Sequence, residues 1–257
     1  MSSHIWTAAA LSSDAVRLER KVWRLVEAQH RVSTLKLVDT LDEQAVLEDL
    51  IEETKPAIPA ECRHLDYLLA TPFRYGAVYP HGSRFRRAGR TSGVFYASEG
   101  VATAVAEMAF WRLLFFADSP DTPWPSDAAE YTAFSAALRT DRTIDLTRPP
   151  LSKEAAQWTA WSDYEACQAL AETARKAEFH AIRYQSVRDP AKRANVAVLS
   201  CLAFASPKPA DRQTWRIRLS SSGIQALCEF PEQRVGFGRS ELLGDPRLAN
   251  LAWDRKA

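Results

Sequence analysis

Glu107 is the residue whose surroundings most need a chemical explanation. Every other residue over 101–111 is apolar except Thr103, and the stretch is rich in alanine, so it is predicted to form a helix packed inside the protein. A buried carboxylate is unfavourable unless it has a partner. Glu107 is therefore either half of a structural ion pair with an arginine or a catalytic group.

An aromatic ring and a group of arginines precede Glu107 in the chain. Tyr96 lies eleven positions before it, at the end of a short β-branched and aromatic segment, so a strand–turn–helix unit would bring the two side chains to one cleft. Four arginines lie over 83–90, and guanidinium groups bind phosphate oxygens through paired hydrogen bonds. Taken singly, Tyr96 is also compatible with a core position, and the arginines with a solvated loop or a weak nucleic-acid patch.

The residue pattern predicts the elements that position these groups. Strands are predicted over 93–97, 131–138, 143–146, 181–184, 196–204 and 215–219. Helices are predicted over 13–32, from a capping box at Thr40 and Glu43 to Lys55, over 101–116 and over 153–179. Because strands and helices do not alternate strictly, the pattern favours an α+β fold over a doubly wound parallel sheet.

Charge and composition exclude several classes of function. The chain has 257 residues, and 33 Lys and Arg against 32 Asp and Glu leave a formal net charge of +1, which does not favour nucleic acid or an anionic membrane. Its apolar runs are far shorter than the roughly 20 residues that span a bilayer, and no secretory signal is recognisable. The four cysteines are far apart and are expected to be reduced, mostly buried thiols. We therefore expect a cytoplasmic protein without direct nucleic-acid or membrane binding.

Metal sites and common nucleotide-binding motifs are not predicted. Cys62 and His64 are the only close Cys/His pair, and no further ligands follow at the spacing of a zinc site. The sequence has no GxGxxG or GxxxxGK segment, so a Rossmann or P-loop site is not expected.

Together these residues resemble the RES domain, a family named for its Arg, Glu and Ser, whose members are bacterial toxins that act on NAD. Residues 83–86 are similar to the family's Gly-Arg-Trp-Asn segment, and 93–98 resemble its Gly-x-x-x-Tyr-x-Ser strand. Residues 104–107 then resemble its Ala-x-x-Glu helix. The stretch 181–190, followed by Asn195, is similar to the family's strand that ends in Tyr-Pro-Ser and to the strand that trails it.

The resemblance covers residues 72–206 and leaves the functional arginine open. Phe85 stands where the family has Trp, Arg86 stands where it has Asn, and the interval from Arg84 to the tyrosine is longer than in the family. Either Arg84 or Arg86 is therefore the candidate. Arg74 either matches another arginine of the family or belongs only to the strand that leads to the site.

The resemblance implies a fold similar to that of ADP-ribosyltransferases: a split, mostly antiparallel sheet with surrounding helices, whose central cleft binds NAD as the substrate without a separate cofactor. It implies that Glu107 holds the ribose and faces the positive charge that develops as the nicotinamide–ribose bond breaks. Tyr96 would stack on the nicotinamide, and Arg84 or Arg86 would neutralise the pyrophosphate.

Four further residues are implied to contact the substrate. Ser186 is the serine of the family name and would form a hydrogen bond with the ribose or the carboxamide. Arg74, Ser98 and Arg188 are predicted to bind the substrate with it.

The resemblance also implies an organisation and a function. Residues 1–70 are predicted to be an N-terminal helical extension, 71–206 the catalytic domain, and 207–257 a C-terminal segment packed on the same domain. The implied activity is that of an NAD glycohydrolase or NAD phosphorylase, with water or phosphate as acceptor. Two alternatives stay open: a protein mono-ADP-ribosyltransferase that uses the same cleft, and a non-catalytic interaction protein in which Glu107 pairs with an arginine.

The implied partner is a helix-turn-helix antitoxin, so the protein would be the toxin of a toxin–antitoxin system. The C-terminal segment of that antitoxin would block the cleft. The sequence leaves open the preference between NAD and NADP and the oligomeric state, a homo-oligomer included.

Overall fold

The computed structural model describes residues 6–27, 34, 37–76 and 82–255. Its strands are β1 (Val16–Glu27), β2 (Phe95–Ser98), β3 (Ala129–Asp145), β4 (Ala181–Gln185), β5 (Ala194–Val198), β6 (Arg212–Ser220), β7 (Gly223–Cys228) and β8 (Gln233–Gly238). Its helices are α1 (Ala8–Ser13), α2 (Leu41–Glu53), α3 (Tyr67–Arg74), α4 (Val101–Asp118), α5 (Ala155–Trp158), α6 (Glu165–Lys176) and α7 (Arg239–Leu242). Short 3₁₀ turns lie at Ala60–Cys62, Leu151–Glu154, Cys201–Ala203 and Pro246–Leu248. Helices and strands follow one another without strict alternation, so the predicted α+β class is confirmed.

The described strands form one sheet in the order β1-β2-β5-β4-β3-β6-β7-β8. All neighbours are antiparallel except β3 and β4, which run in parallel. The strand β3 is 17 residues long, and it pairs with β1 as well as with β4 and β6. The strands β1, β2, β5, β4 and β3 therefore close into a ring, from which β6, β7 and β8 extend.

The ring opens between β1 and β2. These two strands share a single residue pair, Trp23↔Ser98, because β1 is paired along its length with β3. Next to that pair, Arg24 Nη1 donates a hydrogen bond to the carbonyl oxygen of Tyr96 at 3.0 Å. The predicted split, mostly antiparallel sheet is confirmed, and the split lies at this point.

The predicted helix over 13–32 is wrong where the structure describes it, because Val16–Glu27 form β1. The buried residues Leu18, Val22 and Leu25 are spaced as on a helix, four and three positions apart. In β1, Leu18 and Val22 belong to one core cluster, whereas Leu25 belongs to the cluster around α4. A strand that is covered on both faces can therefore imitate helical periodicity. The stretch 1–70 contributes a strand to the sheet and is not wholly a helical extension.

Several other predicted elements are confirmed. The helix α2 begins at the predicted capping box, in which Thr40 Oγ1 accepts a hydrogen bond from the Glu43 amide and the Glu43 carboxylate accepts one from the Thr40 amide. The predicted elements over 93–97, 101–116, 181–184 and 215–219 correspond to β2, α4, β4 and β6. The helix α4 is less buried than predicted, because Trp111 is 53% exposed and Phe115 is 51% exposed.

The stretch 153–179 is not the single helix that was expected. A loop over 159–164 separates α5 from α6, and Asp163 Oδ1 in this loop accepts a hydrogen bond from the Glu165 amide at 3.0 Å, at the start of α6. The strands predicted over 131–138 and 143–146 are the single strand β3, and the one predicted over 196–204 divides into β5 and a 3₁₀ turn. The strands β7 and β8 have no predicted counterpart, because glycine, glutamine and charged residues interrupt their apolar pattern.

The C-terminal part of the chain returns to α4 after extending the sheet. The strand β6 pairs with β3, and β7 and β8 continue from it. Leu248 and Trp253 then join the core cluster that contains Phe110 and Leu113 of α4. The four cysteines are buried and free, as predicted, and no described helix has the length and apolar character needed to cross a bilayer.

Gly93 leads the chain into β2 so close to α3 that no side chain fits. A Cβ at this position would collide with the carbonyl oxygen of Pro72 and lie 3.0 Å from the Cα of Phe73. Both atoms belong to the backbone of α3, so a side-chain rotation cannot relieve the clash.

Gly93→Ala should therefore lower the free energy of unfolding by about 2 kcal/mol or more, because β2 or α3 must shift. Gly236→Ala on β8 is the matched control, since its Cβ would meet only the Ile224 carbonyl oxygen, at an ordinary 3.6 Å. Chemical denaturation measures both changes. Equal stability of the two variants would contradict the close approach at Gly93.

Candidate active site

A cavity of about 260 Å³ lies where β1 and β2 separate. It is lined by residues from four strands, from α4 and from three connecting segments: Trp23, Arg24, Leu25, Ser83, Arg84, Tyr96, Ala97, Ser98, Ala104, Glu107, Met108, Trp111, Tyr164, Tyr184, Val187, Arg188 and Asn195. Acidic, basic and aromatic side chains therefore meet in one concave site, as ligand-binding sites require.

The carboxylate of Glu107 is held at one of its two oxygens. Its Oε1 accepts hydrogen bonds from Ser186 Oγ and from Asn195 Nδ2, each at 2.6 Å. No described residue donates a hydrogen bond to Oε2 or forms an ion pair with the carboxylate. The described residues thus do not show the structural ion pair that was one explanation of Glu107; instead, two neutral donors hold a charged group at the cavity wall.

The register of three strands places the donor Asn195. Asn195 on β5 is paired with Ser98 on β2 and with Tyr184 on β4. Ser98 Oγ donates to Asn195 Oδ1 at 2.7 Å, which leaves the amide nitrogen of Asn195 directed at Glu107. Burial, together with the negative charge of Glu107, raises the pKa of Tyr184 well above its usual value, so this phenol stays protonated beside the acid.

A tight turn after β4 places the other donor. Ser186 Oγ accepts hydrogen bonds from the amides of Arg188 and Asp189, at 3.2 and 3.1 Å, while it donates to Glu107. Asp189 is buried and accepts a hydrogen bond from Thr103 Oγ1 on α4 at 2.8 Å. The turn is therefore tied to the helix that carries Glu107, which fixes the distance between donor and acceptor.

Tyr96 joins β2 to the segment that contains the arginines. Its Oη accepts a hydrogen bond from the Phe85 amide at 2.9 Å and shares another with Ser83 Oγ at 2.8 Å. Burial raises the pKa of this phenol to about 12, although the two hydrogen bonds act in the opposite direction. Tyr96 lines the same cavity as Glu107, as the strand–turn–helix prediction required.

Three of the candidate arginines precede β2 in the chain, and they lie in different places. Arg84 lines the cavity, and its guanidinium donates to the carbonyl oxygens of Trp158 and Ala160 at 2.7 and 2.9 Å. Arg86 is buried and donates to the Gly76 carbonyl oxygen at 2.9 Å, and it is not among the lining residues. The structure therefore brings Arg84, and not Arg86, to the cavity.

Arg74 lies away from the cavity. It donates to the Pro56 carbonyl oxygen at 2.7 Å and to Glu52 Oε1 at 2.6 Å, and so ties α3 to α2. These contacts give Arg74 a structural role, but the predicted strand is wrong, because Arg74 is the last residue of the helix α3.

Arg188 is the second buried cation at the cavity. Its guanidinium lies 4.0 Å from the centre of the Phe110 ring and donates to the Trp161 carbonyl oxygen and to Tyr164 Oη at 2.9 and 3.2 Å. Its Nη1 lies 2.9 Å from Asp245 Oδ2. The loop over 159–164 and the C-terminal segment thus both reach the site.

Four residues at the site were not predicted from the sequence: Asn195, Tyr184, Trp23 and Asp245. Asn195 carried a usable signal, because it is the one amide in the otherwise apolar strand Ala194–Val198, just as Glu107 is the one acid in the apolar stretch 101–111. Trp23 was assigned to a helix that proved to be β1. Asp245 has no local signal, since its position depends on the return of the chain to α4.

A model of the RES domain matches residues 58–220, well over half of the chain. The chain belongs to the RES domain family. No curated protein matches it. Among solved structures, it is similar to a chain of the M. tuberculosis MbcT–MbcA toxin–antitoxin complex, with a TM-score of 0.46 and 11% sequence identity over 80% of this chain and 89% of that chain.

The RES domain contains most of the candidate site but not all of it. The residues Tyr96, Glu107, Ser186 and Asn195 lie inside the matched region, which is wider than the expected 71–206. The strand β1, which supplies one wall of the cavity, precedes the match, and Asp245 follows it. In this RES protein, segments on both sides of the family region therefore shape the site.

The raised pKa of Tyr96 predicts a specific loss of stability at alkaline pH. The folded-state value, about 12, lies above the unfolded value of about 10, so folding favours the protonated phenol. This contribution is complete below about pH 10 and is lost as the pH rises towards about 12.

Tyr96→Phe should remove that part of the alkaline decline, about 1 kcal/mol between about pH 9 and about pH 11. Denaturation at several pH values measures it. Tyr67→Phe, at a residue that is 62% exposed, should decline as the wild type does. If Tyr96→Phe and the wild type lose stability in parallel, the buried phenol does not titrate as described.

Proposed function

We propose that this RES protein is an enzyme that breaks the bond between the nicotinamide and the ribose of NAD, with water or phosphate as the acceptor. The observation that carries the proposal is the setting of Glu107. Its carboxylate lines the cavity, and Ser186 and Asn195 hold it at Oε1. Neutral donors fix the carboxylate without an ion pair, so it can face a cation that forms in the bound substrate.

The reaction would build that cation at the ribose. As the carbon–nitrogen bond breaks, its electron pair passes to the pyridinium nitrogen, nicotinamide leaves as a neutral molecule, and positive charge develops on the ribose carbon and ring oxygen. Water then adds to that carbon and releases a proton, which gives ADP-ribose, whereas phosphate gives a phosphorylated ADP-ribose. A fixed electrostatic partner for such a transition state contributes on the order of 100- to 1000-fold in rate.

The other lining residues suit the remainder of NAD. Tyr96 and Tyr184 are aromatic groups beside the acid, and a pyridinium ring binds favourably to aromatic faces. Arg84 and Arg188 are cations at the same cavity, and guanidinium groups bind phosphate. We therefore assign the tyrosines to the nicotinamide and the arginines to the pyrophosphate.

The size of the cavity supports binding of one half of the dinucleotide inside it. Its volume of about 260 Å³ is close to the lower limit of ligand pockets, about 300 to 1,000 Å³. Nicotinamide and its ribose would occupy the cavity, and the adenosine would extend to the mouth. Trp111, which is 53% exposed and belongs to the lining, offers an aromatic surface there.

Membership of the RES family supports a toxin of a toxin–antitoxin system. The proposed partner is a helix-turn-helix antitoxin, and the proposed location is the cytoplasm, where NAD is available as the substrate. The non-catalytic alternative requires an arginine paired with Glu107, and the hydrogen bonds from Ser186 and Asn195 favour the enzyme instead.

Glu107→Gln should reduce NAD cleavage by about 100-fold or more. The negative charge is lost, whereas the glutamine oxygen can still accept the hydrogen bonds from Ser186 and Asn195. Release of nicotinamide by the purified protein measures the effect, and thermal denaturation shows that the variant is folded. Glu232→Gln, at a side chain that is 73% exposed, is the matched control and should retain wild-type activity. A Glu107→Gln variant with unchanged activity would exclude the proposed role.

NAD labelled in its adenylate part distinguishes the acceptors. We expect the label to remain in small molecules, as ADP-ribose or its phosphate ester, when the wild type is incubated with a cell extract. Chromatography separates these products from protein. Label that becomes attached to protein, and that is absent with Glu107→Gln, would show a mono-ADP-ribosyltransferase instead.

A further inference from the structure

The C-terminal segment reaches the candidate site through one buried carboxylate. Asp245, whose side chain is 1% exposed, lies beyond the matched RES region. Its Oδ2 lies 2.9 Å from Nη1 of Arg188, a lining residue whose side chain is 5% exposed. A residue outside the family region therefore contacts a cation at the wall of the cavity.

Arg247 binds the same carboxylate through both oxygens. Its Nε donates to Asp245 Oδ1 at 3.0 Å and its Nη2 to Oδ2 at 2.8 Å, which is the paired geometry of a strong arginine–carboxylate contact. The backbone amide of Arg247 also donates to Oδ1 at 3.0 Å. Burial raises the pKa of Asp245, but these hydrogen bonds and the two guanidinium groups outweigh it and hold the value below the usual range.

Both guanidinium groups contact the same aromatic ring, that of Phe110. The group of Arg188 lies 4.0 Å from the centre of the Phe110 ring, and that of Arg247 lies 4.8 Å from it. The ring and the Trp161 carbonyl oxygen, to which both arginines donate, restrict their orientation. Burial lowers the pKa of Arg188, which indicates that its charge has lost much of its hydration.

Two guanidinium groups share one carboxylate in this cluster, and the negative charge of Glu107, across the cavity, also acts on Arg188. Asp245 is shared by two arginines, and Arg247 takes the better-directed contacts with it. Arg188 is therefore held in place by a carboxylate that it shares with Arg247, and that carboxylate does not fully neutralise it. A poorly hydrated guanidinium at a cavity wall attracts an anion with hydrogen-bond acceptors, and a phosphate group is such an anion.

We propose that Asp245 is a positioning residue, which together with Arg247 fixes the Arg188 guanidinium without fully neutralising it, so that Arg188 binds a phosphate group of the substrate. This inference rests on the proposed function for the identity of the substrate, a pyridine dinucleotide. It assigns the C-terminal segment a part in substrate binding.

Asp245→Asn tests the positioning role, because an account based on net charge alone predicts the opposite result. Removal of a negative charge should strengthen anion binding if only net charge matters. If Asp245 positions Arg188, the affinity for ADP should fall about tenfold or more, and the affinity for adenosine should change little. Calorimetry with the purified full-length protein measures both, and ADP affinity that is unchanged or higher would overturn the proposal.

The same variant has a kinetic readout that a general structural defect would not produce. The ratio of kcat/KM for NAD to that for nicotinamide riboside, which has no phosphate, should fall about tenfold, mainly through the KM for NAD. A defect in folding would lower both values together. Asp254→Asn is the matched control on the same segment, since that side chain is 82% exposed, and it should leave the ratio at its wild-type value.

Arg247→Gln provides a second test if Asp245→Asn does not fold. The Arg247 side chain is 27% exposed, so the substitution is easier to accommodate. Asp245 would then neutralise Arg188, and ADP affinity should fall several-fold. Wild-type affinity in this variant would overturn the claim that Arg247 keeps Arg188 charged.

The outcomes separate this inference from the proposed function. If the wild type cleaves neither NAD nor nicotinamide riboside, the proposed function fails, and the ADP measurements still decide the role of Asp245. If the wild type cleaves NAD and Asp245→Asn matches it in both assays, the inference fails and the proposed function stands.

Discussion

The hydrogen bonds that Ser186 and Asn195 donate to Glu107 are the interaction on which the candidate site depends. They allow a charged carboxylate to lie on an apolar helix without an ion pair to any described residue, because charge-assisted hydrogen bonds offset part of the lost hydration. Each donor is fixed by a different part of the fold: Asn195 by the register of β2, β4 and β5, and Ser186 by the turn that Asp189 ties to α4. The sheet and the helix therefore determine the position of one oxygen atom and leave the other unbonded by the described residues.

The cavity exists because β1 pairs with the long strand β3 and, beyond one residue pair, not with β2. The strand β1 shares one residue pair with β2 but is paired along its length with β3. Because β1 and β2 are otherwise unpaired, a cavity opens between them, and Trp23 and Leu25 of β1 form one of its walls. Closure of the ring through β3 and β4 keeps the opposite wall in place. The pairing of β1 with β3 thus also keeps β1 and β2 apart beside Glu107.

The sequence was most informative where one residue type was out of place in its local pattern. Glu107 in an apolar helix and Tyr96 at a strand end were predicted as cavity neighbours, and α4, β2 and the α2 capping box were predicted near their observed positions. The predictions failed where tertiary contacts decide. The strand β1 is covered on both faces and so imitates a helix, and the choice between Arg84 and Arg86 depends on which guanidinium finds carbonyl oxygens beside the cavity. The approach of Asp245 to Arg188 joins residues far apart in the chain, and no local pattern encodes it.

The contribution of β1 and the C-terminal segment has a consequence for how such a protein can change. The acid and its two donors lie within the family region, whereas Trp23 and Asp245 lie on either side of it. Substitutions in the flanks can therefore alter the shape and charge of the cavity wall while Glu107 and its two donors keep their geometry. The lining of the cavity and the setting of its acid can then evolve separately. A fragment trimmed to residues 58–220 would nevertheless lack β1, and with it the pairing to β3 and one wall of the cavity.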